Sequence, residues 1–252
     1  MPNRSSSAAA AIIPARLAAT RLPNKPLAEI AGKPMIQHVY ERASLARHFS
    51  HVLVATPDKE IMEAVAAFGG KAVLTSPDHR TGTDRVAEAA SHLPDSVTVV
   101  VNVQGDEPLL DPATIEAVAA PLLHDDTLVM VSLMCPLPDG RESDPNAVKV
   151  VCDRNGFALY FSRSPLPYRR NTEIAYAPHL HVGLYAYRRD FLPIVTQLSP
   201  TPLELTESLE QLRVLESGYR IRMVMASRAP ESVDTPEDLE RVRAFFASGG
   251  TQ

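Results

Sequence analysis

The sequence VTVVVNVQGDEP occupies residues 97–108 and indicates the fold. Its first seven residues are mostly valine, which is typical of a strand buried on both faces of a sheet. Gly105 ends this strand, so Asp106 is expected just beyond its carboxyl end. Glu107 follows directly, and the sequence leaves open whether it is a second functional carboxylate or an ordinary exposed side chain.

Short β-branched segments alternate with helical patterns on both sides of this strand. Each helical pattern places apolar residues three or four positions apart, and the second ends at Gly69-Gly70, which favour helix termination. Repeated strand–helix–strand units predict an α/β fold with a mostly parallel sheet that helices cover on both faces. The predicted strands are 10–14, 51–55, 71–75, 97–103 and 129–135, and the predicted helices are 35–49, 59–68, 84–92 and 112–123.

The alternation becomes irregular after residue 128. Asn155-Gly156 predicts a hairpin between two short strands, and a proline-rich loop follows at residues 164–178. We therefore predict a first α/β domain at residues 1–129 and 227–252, with a smaller mixed α/β lobe inserted at 130–226. The elements predicted in this later part are strands at 148–151, 157–161, 182–187 and 221–226 and helices at 202–217 and 236–246.

The composition excludes some broad classes of function. The chain has 252 residues, with 25 basic and 30 acidic side chains and a net charge of −5. A protein with no basic excess or basic tail is not expected to bind nucleic acid. The sequence has no apolar run approaching the roughly 20 residues of a membrane-spanning helix, so we expect a cytoplasmic protein with no membrane contact.

A basic loop follows the first predicted strand. Residues 14–27 read PARLAATRLPNKPL and place Arg16, Arg21 and Lys25 close together, with no acidic residue before Glu29. Such a loop repels itself unless it binds an anion, and a polyphosphate suits it because guanidinium groups bind two oxygens at once. An exposed basic loop without a ligand is the alternative. Neither a P-loop nor a GxGxxG dinucleotide motif occurs in the sequence.

Two aspartates are candidates for binding a metal. Asp106 is expected at the carboxyl edge of the sheet, where ligands collect in open α/β folds. Mg²⁺ prefers carboxylate oxygens together with substrate phosphates. Asp234 precedes the helix start TPED at residues 235–238, and because Thr235 explains the helix cap, Asp234 is left as a second candidate ligand. A turn in which Asp106 only caps a helix is the alternative.

Several motifs, in the same order, are similar to those of one enzyme family. The similarity extends over nearly the whole chain and is to the 3-deoxy-manno-octulosonate cytidylyltransferases, also called CMP-Kdo synthetases. The matching motifs are IIPARLAATRLPNKPL at 12–27, GKPMI at 32–36, DHRTGTDR at 78–85, VNVQGDEP at 101–108, PNAVKVV at 145–151, ALYFSR at 158–163, EQLRVL at 210–215 and VDTPEDLERV at 233–242.

This resemblance implies a nucleotidyltransferase-type, Rossmann-like sheet. The first domain would bind the nucleotide, and the inserted lobe would bind the sugar and form a homodimer. The implied reaction uses CTP to convert the acidic eight-carbon sugar 3-deoxy-manno-octulosonate (Kdo) into CMP-Kdo, with release of pyrophosphate. Mg²⁺ is the implied cofactor, and lipopolysaccharide synthesis is the implied pathway.

The resemblance also implies roles for the charged residues. Arg16 and Lys25 would hold the CTP phosphates, and Arg21 would support them. Asp106 and Asp234 would bind Mg²⁺. The implied catalytic set is therefore Arg16, Lys25, Asp106 and Asp234.

The base and the sugar have their own implied contacts. The turn at Thr81 and Gly82 would approach the cytosine ring through backbone groups, since glycine permits close approach. Their sequence context alone also allows an ordinary structural explanation for the residues implied to bind the sugar. Such residues are equally typical of an exposed arginine, a strand histidine and polar side chains on the solvent face of a helix. The residues implied to surround the sugar acid are Gln104, Arg163, His181, Tyr185, Glu210 and Gln211.

Three alternative functions can be compared with the same residues. The nearest is the same transfer to 8-amino-Kdo or sialate. A glycosyltransferase that consumes a nucleotide sugar normally shows a DxD motif after the central strand, where this chain has Asp106-Glu107-Pro108. A non-catalytic nucleotide-binding protein would be expected to lack Asp106, Asp234 or Lys25, and all three are present.

Overall fold

The computed structural model describes residues 8–18 and 22–249. Within these ranges nine strands form one sheet, and two short strands form a separate antiparallel pair. The strands are β1 Ala8–Pro14, β2 Glu29–Ile30, β3 Lys33–Pro34, β4 Phe49–Thr56, β5 Ala72–Leu74, β6 Val97–Asn102, β7 Met130–Pro136, β8 Lys149–Cys152, β9 Ala158–Ser162, β10 His179–Arg188 and β11 Ile221–Met225. The α-helices are α1 Met35–Leu45, α2 Lys59–Ala67, α3 Gly82–Ser91, α4 Pro112–His124, α5 Leu192–Gln197, α6 Pro202–Glu207, α7 Gln211–Glu216 and α8 Pro236–Ala247.

The parallel half of the sheet has the strand order β5-β4-β1-β6. Alternate residues of β1 face opposite sides of it. Ala9, Ala11 and Ile13 pack in one core cluster with α1, α2 and α4, whereas Ala10 and Ile12 pack in another with α3 and α5. These five residues are fully buried, as expected for a strand covered on both faces. The structure thus confirms the predicted mostly parallel α/β sheet flanked by helices.

The strands of the predicted inserted lobe continue the same sheet. β10 lies antiparallel between β6 and β7, and β11 pairs parallel with β7. β8 and β9 form the predicted hairpin, which attaches to β10 through β8. Much of residues 130–226 therefore extends the main sheet through backbone hydrogen bonds. The division into domains at these boundaries stays a prediction.

Two helical elements differ from the sequence predictions. The single helix predicted at residues 202–217 is two helices, α6 and α7, because Ser208 between them has a left-handed φ of 52°. The sequence pattern does not predict α5, because its six residues span less than two helical turns. None of the α-helices in the described ranges has the length and apolar character needed to cross a membrane.

A buried ion pair joins the two short helices α6 and α7. Arg213 donates from Nε to Glu204 Oε2 at 2.8 Å, and its Nη2 donates to the other carboxylate oxygen. Both residues are 8% exposed. Glu204 also accepts the backbone N–H of Thr201 at 3.2 Å, which closes the cap at the start of α6. The pair therefore fixes the angle at which the chain turns at Ser208.

We predict that Glu204→Gln lowers the free energy of unfolding by roughly 3–5 kcal/mol, because the Arg213 guanidinium stays buried without its counter-charge. Equilibrium unfolding in urea, followed by circular dichroism, measures the effect. The exposed pair of Glu240 and Arg243 supplies the control, since Glu240→Gln is expected to change this free energy by less than about 1 kcal/mol. Equal effects of the two substitutions would contradict the prediction.

Candidate active site

Three adjoining cavities lie at the carboxyl ends of β1 and β6, where the sequence predicts the site. Gln104, two residues after β6, lines all three of them. Each is named here after its characteristic side chains. The lysine cavity, about 420 Å³, contains Lys25, Asp106 and Asp234; the arginine cavity, about 160 Å³, contains Arg16, Arg80 and Arg85; and the amide cavity, about 180 Å³, contains Asn102, Gln211 and Tyr185.

The ammonium group of Lys25 bridges two carboxylates in the lysine cavity. Its Nζ donates to Asp106 Oδ2 at 2.7 Å and to Asp234 Oδ1 at 3.2 Å. Burial works toward a lower pKa for Lys25, but Asp106 and then Asp234 hold its pKa above the ordinary value. Lys25 is therefore positively charged at neutral pH, and three segments that are far apart in the sequence meet at one cation.

Local backbone structure places these three side chains. Lys25 begins a short 3₁₀ helix, Lys25–Leu27, directly after Asn24, whose φ of 57° is left-handed. Asparagine tolerates this conformation better than most residues. The backbone N–H of Val233 donates to the carbonyl oxygen of Asp106 at 2.8 Å, so the loop after β6 is tied to the segment before α8.

The cap of α8 orients Asp234. Thr235 Oγ1 accepts the N–H of Asp238 at 3.2 Å, and Asp238 Oδ2 accepts the N–H groups of Asp234 and Thr235 at 2.9 and 2.8 Å. Although burial acts in the opposite direction, these backbone donors lower the pKa of Asp238 to about 2. The predicted cap is confirmed: Thr235 and Asp238 accept the backbone N–H groups, and the carboxylate of Asp234 faces Lys25.

A close contact between two backbone segments forms part of the wall of the lysine cavity. A Cβ atom on Gly105 would lie 3.0 Å from the carbonyl oxygen of Pro14. The neighbouring atom is backbone, so a larger residue there would displace the end of β1 or the loop after β6. Glycine at this position thus allows Asp106 to come close to the basic loop.

The donor set of the lysine cavity fits a hard divalent cation. Asp106 and Asp234 bring two carboxylates to one point, and both are partly exposed. Mg²⁺ is commonly held by one or two carboxylates, with the remaining ligands supplied by water and substrate phosphates. Within residues 8–18 and 22–249, no group of three or more His, Cys, Asp or Glu side chains is arranged to hold a metal by itself. The lysine cavity thus brings two protein carboxylates, Asp106 and Asp234, to such a site.

The arginine cavity carries positive charge with neutral hydrogen-bond acceptors. Arg85 is only 4% exposed, and its Nη1 donates to Thr75 Oγ1 at 2.5 Å and to the Ser76 carbonyl oxygen at 3.2 Å. Burial, and then the nearby positive charge of Arg16, lower the pKa of Arg85. An anion in this cavity would relieve the repulsion between these two guanidinium groups.

The turn before α3 forms one wall of the arginine cavity. Thr81 Oγ1 accepts the N–H of Asp84 at 3.1 Å, and Asp84 Oδ2 accepts the N–H of Thr81 at 3.0 Å. Arg80 and Arg85, which line this cavity, are not among the site residues predicted from the sequence, although both belong to the motif DHRTGTDR at residues 78–85. Two arginines in one short motif were the signal that could have identified them.

The amide cavity contains polar atoms that are buried without a partner. Asn102 Oδ1 and Gln211 Nε2 are inaccessible to solvent and have no hydrogen-bond partner among the described residues. Gln104 Nε2 donates to the Gly183 carbonyl oxygen at 3.2 Å, which orients that side chain. Burial raises the pKa of Glu210, which lines the same cavity. Asn102 and Gln211 line this cavity together with Tyr185 and Glu210, which gives it a largely polar lining on this side.

Two predicted sugar ligands do not line these cavities. His181 Nε2 lies 3.0 Å from Ser132 Oγ, and burial lowers the pKa of His181 to about 3, so its ring is neutral. The ring lies 5.5 Å from that of Tyr185 and thus behind the amide cavity. The Arg163 guanidinium donates to three backbone carbonyl oxygens. The roles of both residues as sugar ligands stay predictions.

Most of the other predicted site residues are brought together. Arg21 lies outside the described residues. The predicted residues that line at least one of the three cavities are Arg16, Lys25, Thr81, Gly82, Gln104, Asp106, Tyr185, Glu210, Gln211 and Asp234.

A mostly parallel α/β sheet with cations and paired carboxylates at its strand ends is the arrangement that the resemblance to nucleotidyltransferases implies. The family model described as cytidylyltransferase matches residues 10–221. A 3-deoxy-manno-octulosonate cytidylyltransferase of Geobacter metallireducens is 53% identical over 92% of this chain and 95% of its own length. One of Synechococcus elongatus is 50% identical over 93% and 96%. The chain therefore belongs to the 3-deoxy-manno-octulosonate cytidylyltransferase family and is an enzyme.

Solved structures agree with this assignment. A CMP:2-keto-3-deoxy-manno-octonic acid synthetase in complex with CTP is 45% identical, with a TM-score of 0.92 over 96% of this chain and all of that chain. A cytidylyltransferase from Leptospira borgpetersenii is 16% identical, with a TM-score of 0.64 over 96% of this chain and 87% of that chain. The second likeness concerns the fold alone.

Glu107 is a buried carboxyl group beside Asp106. It is 7% exposed, and its Oε2 has no hydrogen-bond partner among the described residues. Burial, and then the negative charge of Asp106, raise the pKa of Glu107 from 4.5 to about 8. The question left open by the sequence is thus answered in part, because Glu107 is not an exposed side chain.

We predict that Glu107 makes the fold less stable as the pH rises. In the folded state Glu107 keeps its proton up to about pH 8, whereas in the unfolded chain it loses the proton near pH 4.5. The contribution of the protonated carboxyl group to the free energy of unfolding is therefore complete below pH 4.5 and is lost as the pH rises to 8. With a chelator present, Glu107→Gln should match the wild type at pH 4.5 and be more stable above pH 8, by on the order of a few kcal/mol.

Urea unfolding across this pH range checks the prediction. Glu63→Gln, at an exposed position of α2, is the control and should leave the pH profile unchanged. A Glu107→Gln profile parallel to that of the wild type would show that the carboxyl group ionises normally in the fold.

Proposed function

We propose that this enzyme transfers CMP from CTP to the anomeric hydroxyl of Kdo and releases pyrophosphate. The main support for the proposal is that the cavities of the site adjoin one another. A cationic region with two carboxylates and a region lined by amide side chains share Gln104 as a common wall. Relatives that are named for this activity and cover nearly the whole chain support the choice of both substrates.

The cationic region accounts for the triphosphate. We assign the phosphates to Lys25 and Arg16, with Arg21 as support and Arg85 as an additional positive charge nearby. Lys25 stays protonated because two carboxylates raise its pKa, so it can neutralise charge that develops on the departing pyrophosphate. Catalysis by these residues then consists of positioning and charge neutralisation, with in-line attack of the sugar hydroxyl on the α-phosphorus.

Asp106 and Asp234 are the proposed ligands of Mg²⁺. The meeting of both carboxylates at Lys25 supports this, because the same convergence of oxygens that binds an ammonium also suits a divalent cation. When bound, Mg²⁺ would supply charge neutralisation at the phosphates and a lower pKa for the attacking hydroxyl. The protein's part is to hold these two carboxylates next to the basic loop.

The remaining walls account for the base and the sugar. We assign the cytosine ring to the backbone at Thr81 and Gly82, which lie beside Arg16 in the arginine cavity. We assign the sugar acid to the amide cavity. Its polar side chains, Glu210 and Gln211 among them, suit hydroxyl groups, which both donate and accept hydrogen bonds. Gln104, Tyr185 and Glu210 complete this wall, with His181 behind it.

The cellular setting of the reaction belongs to the same proposal. We propose a homodimer that works in the cytoplasm and supplies CMP-Kdo to lipopolysaccharide assembly. The support is the membership of the 3-deoxy-manno-octulosonate cytidylyltransferase family. Of the alternatives, 8-amino-Kdo and sialate are less favoured, because the relatives are named for the octulosonate.

A substrate panel tests the activity directly. Pyrophosphate release from CTP is measured with Kdo, 8-amino-Kdo or sialate, each with and without Mg²⁺. We expect turnover with Kdo to exceed turnover with the other two acids, and we expect a chelator to abolish it. Turnover with none of the Kdo-type acids would refute the proposed function, whereas preference for 8-amino-Kdo or sialate would refute only the choice of sugar.

We predict that Asp106→Asn lowers turnover by on the order of 100-fold or more, because one of the two metal ligands is lost. Chemical denaturation confirms that the variant is folded. Asp95→Asn is a matched control, because Asp95 is fully exposed and lies outside the three cavities of the site; its turnover should equal that of the wild type. Near-normal turnover of Asp106→Asn would remove Asp106 from the metal site.

A further inference from the structure

Arg163 holds the turn between α6 and α7 by its backbone. Its Nε donates to the carbonyl oxygen of Glu207 at 2.7 Å, and its Nη2 donates to that of Ser208 at 3.4 Å. The last carbonyl groups of a helix have no partner within the helix, and a guanidinium group is well shaped to bind them. Nη1 donates to the Pro145 carbonyl oxygen at 2.8 Å, so the loop before β8 is fixed to the same group.

The side chain of Glu207 in turn binds the end of β9. One carboxylate oxygen accepts the backbone N–H of Arg163 at 2.9 Å, and the other accepts Ser162 Oγ at 2.5 Å. Lys149, which is fully buried, donates from Nζ to the Asp144 carbonyl oxygen at 2.9 Å and also binds that of Arg163. The end of β9 and the end of α6 are therefore bound to each other reciprocally.

This turn leads directly into the amide cavity. Ser208 has left-handed dihedral angles, and Glu210 and Gln211, two and three residues later, line the cavity. Neither Arg163 nor Glu207 lines it. A shift of the turn would move both Glu210 and Gln211, and a displacement of about 1 Å is enough to reduce activity strongly when the displaced groups position a substrate.

We infer that Arg163 is a positioning residue, which acts on the sugar acid through the Ser208 turn and Gln211 and does not bind the sugar carboxylate itself. This inference rests on the proposed sugar site. It assigns the same positioning role to Glu207, which as an anion cannot be a ligand for the carboxylate of an acid sugar. The three segments held by this pair are the loop before β8, the end of β9 and the end of α6.

A double-mutant cycle between Arg163 and Gln211 tests the inference. Arg163→Ala should raise KM for Kdo about 10-fold and change KM for CTP less than about 2-fold, because the phosphate contacts lie elsewhere. In the background of Gln211→Leu, the same substitution should raise KM for Kdo by less than about 3-fold, since the group that it displaces is already absent. Arg220→Ala, at an exposed arginine paired with Asp153, is the control and should leave both KM values unchanged.

Three results would overturn the inference. One is an equal effect of Arg163→Ala in the wild type and in the Gln211→Leu background, which is the behaviour of a direct ligand. Another is an unchanged KM for Kdo. The third is an unchanged KM for Kdo in Glu207→Gln. This variant keeps the guanidinium group intact and should still raise KM for Kdo about 3-fold or more. It also provides the test if Arg163→Ala does not fold. Inactivity of the wild type with Kdo would instead refute the proposed function.

Discussion

The meeting of Lys25 with Asp106 and Asp234 is the interaction on which the site depends. It joins a loop near the start of the chain, the loop after the central strand and the segment before the last helix, and Lys25 and Asp234 are 209 positions apart in the sequence. An ammonium group between two carboxylates compensates the charge of the loops while no substrate is bound. It also holds the basic loop against the two carboxylates, with their oxygens at 2.7 and 3.2 Å from the ammonium nitrogen.

Elsewhere the site contains polar groups that the protein alone does not satisfy. Arg85 is buried with neutral acceptors beside another arginine, and Asn102 and Gln211 each have a buried polar atom without a partner. The two unpaired atoms reduce the stability of the fold, because their desolvation is not balanced by a hydrogen bond. At Arg85 the nearby charge of Arg16 adds repulsion, which a bound phosphate would relieve. Charge that is unfavourable in the empty cavity can thus provide affinity for an anion.

The main sheet and the later segments of the chain together form the walls of these cavities. β10 places Tyr185 next to β6 by antiparallel pairing, and the turn at Ser208 leads to Gln211, which lines the same cavity as Tyr185. The turn is held from inside by the buried pair of Glu204 and Arg213 and from outside by Arg163. Sugar-side geometry therefore depends on residues that do not reach the cavity, which is why lining residues alone do not describe the site.

The sequence by itself determined the α/β fold class, the cap of α8, and the cations and carboxylates near the strand ends. Each of these depends on neighbours within a few residues: periodicity, helix caps, and the position of a residue just after a strand. Tertiary structure alone decided that β10 enters the sheet antiparallel and that helix 202–217 breaks at Ser208. It also decided that Glu107 is buried and that Arg163 binds backbone carbonyl groups. These depend on which distant segments pack together and how much water they exclude, and no local pattern encodes that.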